Sequence, residues 1–299
     1  MMRNVYLFFI ITFLFTCFLS LGGLFYYYYT ITAGQKEKIT TEPLHEEAST
    51  ISGPQTILVA GTDKEETASR ADVIMIVSIH PDNESTLLFN IPRDTKVYIP
   101  GREGTDKINH AYSYGGMPLL KKTSEEFLDT SIDFTVEADM EGFREIVDAY
   151  GGVTVQNDLT FTKDEGKPFT YTEGELHLNG DQALYYVRMR KQDPKGDLGR
   201  NIRQQQVLEA LLEKAKSPAT LQKAEELLYA LGDHIQTDMT FQDIRSFSYH
   251  YTPALSRIQT TEIQGSAAEQ NGVSYYLVSS EEQMKTQLRL ERHQTGNSY

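Results

Sequence analysis

The chain has 299 residues, enough for one full-sized domain plus accessory segments. Its 39% hydrophobic and 23% charged residues are ordinary for a globular protein, but the formal net charge is −14. That charge opposes general nucleic-acid binding, which needs a basic surface, and the single cysteine, Cys17, excludes an intrachain disulfide. Residues 5–29, Val5 to Tyr29, are almost unbroken apolar sequence, long enough to span a bilayer as a helix. Arg3 precedes the run and Tyr26 to Tyr29 suit an outer interfacial belt, so residues 1–4 are expected in the cytoplasm and residues from 30 onward outside. The run is longer than a signal-peptide core and no small-x-small site follows it, which favours an uncleaved anchor over a cleaved leader. Cys17 then reads as an inert membrane residue.

Residues 30–55 are polar and aperiodic and read as a stalk. Thr56 to Gly61, Val73 to Ile79 and Ser85 to Ile91 are short apolar runs that predict buried strands. His80 to Glu84 suits a hairpin between the last two, and Pro92 ends the third. Pro118 to Leu128 and Met140 to Ala149 predict helices, the second stopping at Gly151-Gly152. Val153 to Val155 restarts a strand, and Ala183 to Met189 predicts another. Arg200 to Lys216, Gln222 to Leu231 and Phe241 to Tyr249 read as helices, and Ser274 to Ser279 as a late strand. Interleaved strands and helices predict an α/β fold, a central mixed sheet with helices on both faces, over residues 56–290. The polar end, residues 291–299, is expected to be loose.

Several polar residues sit at strand ends, where ligands bind in α/β sheets. Asp63 follows the first strand and Asp72 opens the second. Two carboxylates brought together there are costly without a cation, and Mg²⁺ suits such a pair because it also takes phosphate and water oxygens. The alternative is two solvated loop acids. Arg93 and Asp94 follow the third strand, either as a surface ion pair or as part of a site, and Lys107 is a candidate anion ligand. Arg188 and Arg190, two apart on the expected strand, would share a face. Arg200, Arg203 and Gln204, at i, i+3 and i+4, would share a helix face near a helix start at Asp197. Together they make a candidate polyphosphate site; the alternative is a solvated helix face opposite the apolar stripe of Ile202, Leu208, Leu211 and Leu212. There is no Walker loop, nucleophile elbow, zinc spacing or Rossmann fingerprint.

The ordered segments Gly61-Thr62-Asp63, Arg70-Ala71-Asp72, Ile91-Pro92-Arg93-Asp94-Thr95, Lys107-Ile108-Asn109-His110-Ala111-Tyr112, Gly151-Gly152-Val153, Leu178 to Leu184 and Asp197 to Gln204 resemble the LytR-CpsA-Psr family. The resemblance covers roughly Thr56 to Ser217. It implies an α/β domain with an apolar tunnel for a polyprenyl chain and a cell-membrane protein of single-pass type II topology. It implies Mg²⁺, or Mn²⁺ in its place, on Asp63 and Asp72. It implies pyrophosphate binding by Arg93, Lys107, Arg188, Arg190, Arg200, Arg203 and Gln204, with Arg93, Asp94 and Asp197 at the reacting phosphate. The implied reaction transfers an anionic glycopolymer, such as wall teichoic acid, from polyprenyl pyrophosphate to a peptidoglycan hydroxyl. Asp197 and then Asp94 are the base candidates. A polyprenyl-pyrophosphate phosphatase and a non-catalytic lipid-binding regulator are the rivals. One departure is local: Lys64-Glu65-Glu66 stands where the family often carries an arginine.

Overall fold

In the computed structural model, the structure describes residues 51–63, 70–164, 166, 168–215 and 234–296. The expected anchor, most of the stalk, the Lys64 to Glu66 segment and the expected helix Gln222 to Leu231 lie outside these residues. Among the described residues no helix is long and apolar enough to cross a membrane.

The three apolar runs form the centre of a six-stranded mixed sheet. They are β1 (Gln55–Asp63), β2 (Arg70–His80) and β3 (Ser85–Asn90), antiparallel in sequence. β6 (Phe134–Asp139) joins β1 in parallel and β12 (Ile258–Glu262) joins β3 in parallel, while β11 (Ile235–Thr237) closes the β6 edge. Strand alternation distributes the apolar side chains over two faces. Leu58, Ala60, Ile74, Ile76 and Phe89 bury one face against helix α1 (Ile108–Leu128) and the C-terminal helix α6 (Ser280–Thr295). Ile57, Met75, Val77 and Leu88 bury the other against Tyr251 and Ala254, in the π-helical and 3₁₀ turns of residues 247–256, and Leu208 of helix α4 (Asp197–Ala215). The expected sandwich with both faces covered is therefore present.

A second core sits beside the sheet. Helices α2 (Met140–Ala149), α3 (Gly180–Arg188) and α4 pack there with the ribbon of β7 (Val153–Asn157) and β10 (Gly174–Leu178). Its centre is aromatic: Phe161 of β8 (Phe161–Lys163) stacks on Tyr171 of β9 (Phe169–Tyr171), centroids 4.5 Å apart. The turn from α2 into β7 needs positive φ at both Gly151 and Gly152, a region that side chains resist.

Three expectations are corrected. Ala183 to Met189 is not a strand: Asn179 and Gln182 form a reciprocal capping box, and Ala183, Tyr186 and Val187 bury one face of α3. Helix Phe241 to Tyr249 is α-helical only over α5 (Phe241–Ser246) before the π-helical turn Phe247–Tyr251. The expected loose end is helical to Thr295, because Thr286 and Leu290, four apart, dock α6 onto the core.

Candidate active site

The site forms where β2 begins and where β1 and β3 end. Gly61 pairs with Val73 but Thr62 pairs with Ala71, so Asp72 is the extra residue of a β-bulge. A Cβ at Gly61 would come within 3.0 Å of Val73, so glycine lets the bulged strand close. Asp72 is thereby aimed toward the end of β3. There Pro92 to Thr95 forms a tight turn, its Thr95 N–H donating to the Pro92 carbonyl at 2.8 Å, with Arg93 and Asp94 at the tip.

Arg93 Nη1 donates to Asp72 Oδ1, and Arg93 Nε lies 3.8 Å from Asp94 Oδ2. Lys107, at the end of β5 (Thr105–Lys107), holds the other Asp94 oxygen at 2.9 Å. Burial opposes the charge on Arg93, but Asp72, then Asp94 and Asp197, outweigh it and hold the guanidinium above its ordinary value. Asp197 opens α4 and forms ion pairs with Arg200 at 3.1 Å and Arg190 at 3.6 Å. Burial pushes Arg200 below its ordinary value; Asp197 offsets this in part, and repulsion from Arg93 and Arg190 adds to it. Arg200 thus lies close enough to both Arg93 and Arg190 to be repelled by them.

Unsatisfied groups gather at the same place. Asn90 Oδ1, Arg93 Nε, Asn109 Oδ1 and Arg200 Nε are buried without a hydrogen-bond partner. Asn90 ends β3, and the Asn109 N–H donates to the Arg93 carbonyl at 3.2 Å. Buried polar groups are normally paired, so these four mark the edge as a candidate ligand site, while a fifth, Arg144 Nε, lies on α2. Sequence reasoning missed both asparagines as site residues, although Asn109 lies inside the Lys107 to Tyr112 segment.

Other expected ligands stand elsewhere. Arg203 is buried, its Nη1 on Asp193 at 2.5 Å and its Nε on the Tyr186 carbonyl at 3.1 Å. Gly199 permits this pair, since a Cβ there would fall 1.8 Å from Asp193 Oδ2. Gln204 is buried and accepts from Asn90 Nδ2 at 2.8 Å, tying α4 to β3. Arg188 ends α3, exposed, with Nη1 on Met140 Sδ at 3.0 Å, so Arg188 and Arg190 do not share a strand face. A cavity of about 180 Å³, lined by Tyr186, Asp193, Lys195, Arg203 and Gln206, lies on this Arg203 side rather than at the arginine cluster.

Asp63 stands at the end of β1, paired in register with Arg70. On the neighbouring strand lies a buried acid that the sequence reading missed: Glu137 of β6 accepts from Tyr112 at 2.7 Å and from Thr62 at 3.3 Å. The alternation of Glu137 with apolar neighbours hides it in the sequence. Among the described residues no group of three or more His, Cys, Asp or Glu side chains comes together as a metal cage. Asp63 and Asp72, carboxylates on adjacent strand ends, are a donor set that fits Mg²⁺, which takes its remaining ligands from phosphate and water.

A mixed sheet with helices, carrying arginines and carboxylates at its strand ends, defines an α/β domain with a charged edge. The chain belongs to the LytR_cpsA_psr family, whose model matches residues 24–292. A relative from Halalkalibacterium halodurans, named polyisoprenyl-teichoic acid–peptidoglycan teichoic acid transferase TagU, is 39% identical over 80% of this chain and 79% of its own. The crystal structure of B. subtilis TagU is 31% identical, with a TM-score of 0.66 over 81% of this chain and 97% of that one. A structure of TagT bound to LIIa-WTA is 27% identical, with a TM-score of 0.71 over 85% and 95%.

Proposed function

We propose that this chain is a transferase that moves an anionic glycopolymer, wall teichoic acid, as its phosphate ester from polyprenyl pyrophosphate to a peptidoglycan hydroxyl. The observation that carries the reading is the pair of buried donors without a hydrogen bond, Arg93 Nε and Arg200 Nε, on guanidiniums close enough to repel, with Arg190 also repelling Arg200. A pyrophosphate would satisfy these donors and relieve the repulsion between them. The names of the relatives support the glycopolymer and the acceptor. The apolar run of residues 5–29 supports a membrane anchor with the domain outside the cell, where both substrates would be met.

In this mechanism Arg93, Arg190, Arg200 and Lys107 bind and orient the pyrophosphate and oppose the charge that develops on its oxygens. An acceptor hydroxyl attacks the glycopolymer-side phosphorus. The new P–O bond forms as the bond to polyprenyl phosphate breaks, and the hydroxyl proton passes to Asp197 or, as second candidate, Asp94. Asp197 is the more exposed, 48% against 30%. Asp63 and Asp72 would hold Mg²⁺, which when bound supplies Lewis-acid stabilisation of phosphate oxygens. Arg203 and Gln204 shape the wall and do not reach the phosphate.

The test is transfer by the full-length chain in nanodiscs from a synthetic polyprenyl-pyrophosphate glycan to peptidoglycan oligosaccharides. Phosphodiester-linked product is expected, together with released polyprenyl phosphate. Transfer to water alone would replace this reading with the phosphatase. Neither product, with donor still bound, would favour a non-catalytic lipid-binding protein.

A further inference from the structure

The charges of the site form a line from Arg190 and Arg200 through Asp197, Arg93 and Asp94 to Lys107. At the Lys107 end the line runs into a surface of different character. β4 (Lys96–Tyr98) and β5 form a short antiparallel ribbon in which Lys96 pairs with Lys107 and Tyr98 with Thr105. Alternation puts these four side chains on one face, opposite buried Val97. The ribbon is tied to the hairpin of β13 (Ser266–Gln270) and β14 (Val273–Leu277): Thr95 bridges Tyr276, whose N–H donates to the Asp94 carbonyl at 2.8 Å. This places Tyr275 under the ribbon face, with Lys96 Nζ at 5.3 Å and Lys107 Nζ at 6.0 Å from its ring centroid. Tyr98 is 54% exposed on that face and Tyr114, electrostatically coupled to Tyr275, is 43% exposed.

Exposed tyrosines flanked by fixed polar groups have a specific use. A sugar ring offers a C–H face that packs on an aromatic ring, and an edge of hydroxyls and amides that needs donors and acceptors. Tyrosine serves both, because its body is apolar and its tip polar. The cations also matter in a chain with a formal net charge of −14. Lys96, hydrogen-bonded among the described residues only to the neutral Gln270 side chain, leaves a positive charge on this shelf beside the Lys107–Asp94 ion pair, suited to a glycan that carries carboxylates.

We infer that the shelf of Tyr98, Thr105, Lys96, Lys107 and Tyr275 is the seat of the acceptor glycan, a hexosamine strand bearing acidic groups. This rests on the transfer reading above and adds where the acceptor lies. A strand on the shelf reaches the phosphate from the Asp94 side, while Arg190, Arg200 and Arg93 hold the phosphate along the rest of the line. Lys107, on Asp94, then stands between donor and acceptor.

The experiment measures acceptor and donor KM separately on the full-length chain in nanodiscs. The acceptor is a synthetic tetrasaccharide of alternating N-acetylglucosamine and N-acetylmuramic acid. Tyr98→Ala is expected to raise the acceptor KM about tenfold, the loss of one stacked sugar, with the donor KM level, and Tyr275→Ala to raise the acceptor KM in the same direction by releasing the lysines seated over its ring. Tyr98→Trp should restore the acceptor KM. Calorimetric binding of the tetrasaccharide without donor should weaken in the same alanine variants. Unchanged acceptor KM and binding in both would overturn the shelf and leave the transfer reading standing. A raised donor KM would assign the shelf to the donor sugars and overturn the inference. A wild-type chain that neither binds nor modifies any glycan would overturn the transfer reading, and this inference with it.

Discussion

Arg93 donates to Asp72 across the ends of β3 and β2, and the contact follows from register. Met75 lies opposite Asn90, and Ile91 donates to the Ile74 carbonyl, so continuing the antiparallel pairing brings residue 93 opposite residue 72. The bulge at Asp72 makes this carboxylate available without ending the strand. Asp72 thus has two tasks in the proposed reaction, holding Arg93 and offering an oxygen to Mg²⁺.

Arg93→Ala is expected to lower kcat about 10²- to 10³-fold, the usual cost of removing one donor that acts on the transition state. The donor KM should change less, since the other cations and the lipid tail still bind. Arg93→Lys should rescue poorly, because an ammonium cannot reach Asp72 and the phosphate with one planar fork. Steady-state kinetics on folded, full-length variants decide this. A near wild-type kcat in Arg93→Ala would reduce the Arg93–Asp72 contact to a surface ion pair.

Arg200 predicts a ligand effect on stability. Its guanidinium is buried, held below its ordinary value, and repelled by Arg93 and Arg190. An anion that binds only the folded chain stabilises it by about 2.7 kcal/mol at a hundred times its Kd. Inorganic pyrophosphate should therefore raise Tm in a concentration-dependent way, and more so at low salt. Arg200→Met should abolish the shift and raise the Tm of the ligand-free chain, because one repelling charge is gone. A pyrophosphate shift that survives in Arg200→Met would place the anion elsewhere.

How far the sequence could be read follows from what carries each signal. β1, β2 and β3 are dense in β-branched and apolar residues, so burial on both faces shows as continuous runs. β6 and β12 are interrupted by Thr135, Glu137, Thr260 and Thr261 and did not stand out. In α3, Tyr185, Tyr186 and Val187 imitate a strand, and only the Asn179 to Gln182 cap reveals the helix. The site motifs were visible, but not which member faces inward. Arg200 and Arg203 lie three apart, about 300° around a helix of 3.6 residues per turn. The remaining 60° is enough to leave Arg200 at the phosphate edge and turn Arg203 toward Asp193.

Arg203 is accordingly expected to act on stability rather than on catalysis. Its pair with Asp193 is 6% exposed on both sides, and its guanidinium also serves the Tyr186 and Met189 carbonyls. Removing one partner of a buried pair typically costs about 3–5 kcal/mol, because the other charge is left behind. Burial alone would raise Asp193, but the bond from Arg203 and the Lys195 N–H outweigh it and hold this carboxyl below its usual value. The pair therefore stabilises the fold above the ordinary carboxylate range and loses that contribution as pH falls through the lowered value. Thermal unfolding should show a large Tm drop for Arg203→Ala and a smaller one for Arg203→Met with Asp193→Leu. An unchanged Tm with lost activity would instead return Arg203 to the phosphate.

The C-terminal helix carries a pH dependence of its own. His293 of α6 places Nδ1 2.9 Å from Ser78 Oγ and Nε2 3.2 Å from Ser85 Oγ, bridging β2 and β3. The His80 ring stands edge-on at 6.2 Å. Burial pushes the His293 imidazole down to about 4, with the nearby charges of His80 and Arg257 adding to the fall and a bond at Ser85 opposing it. A histidine with a lowered folded pKa favours the folded chain only while neutral. Its contribution is full above the unfolded value near 6.5 and is lost as pH drops from there toward about 4. Screening of the half-buried ring limits the effect to the order of 1–2 kcal/mol. Other carboxylates also lose stability in acid, so the comparison is between variants. His293→Gln keeps a side chain able to bond Ser78 but cannot be charged. Its Tm should lie below wild type at pH 7.5 and approach or pass it at pH 4.5. Parallel Tm curves for the two proteins across that range would rule out His293 as the acid-sensitive clasp of α6.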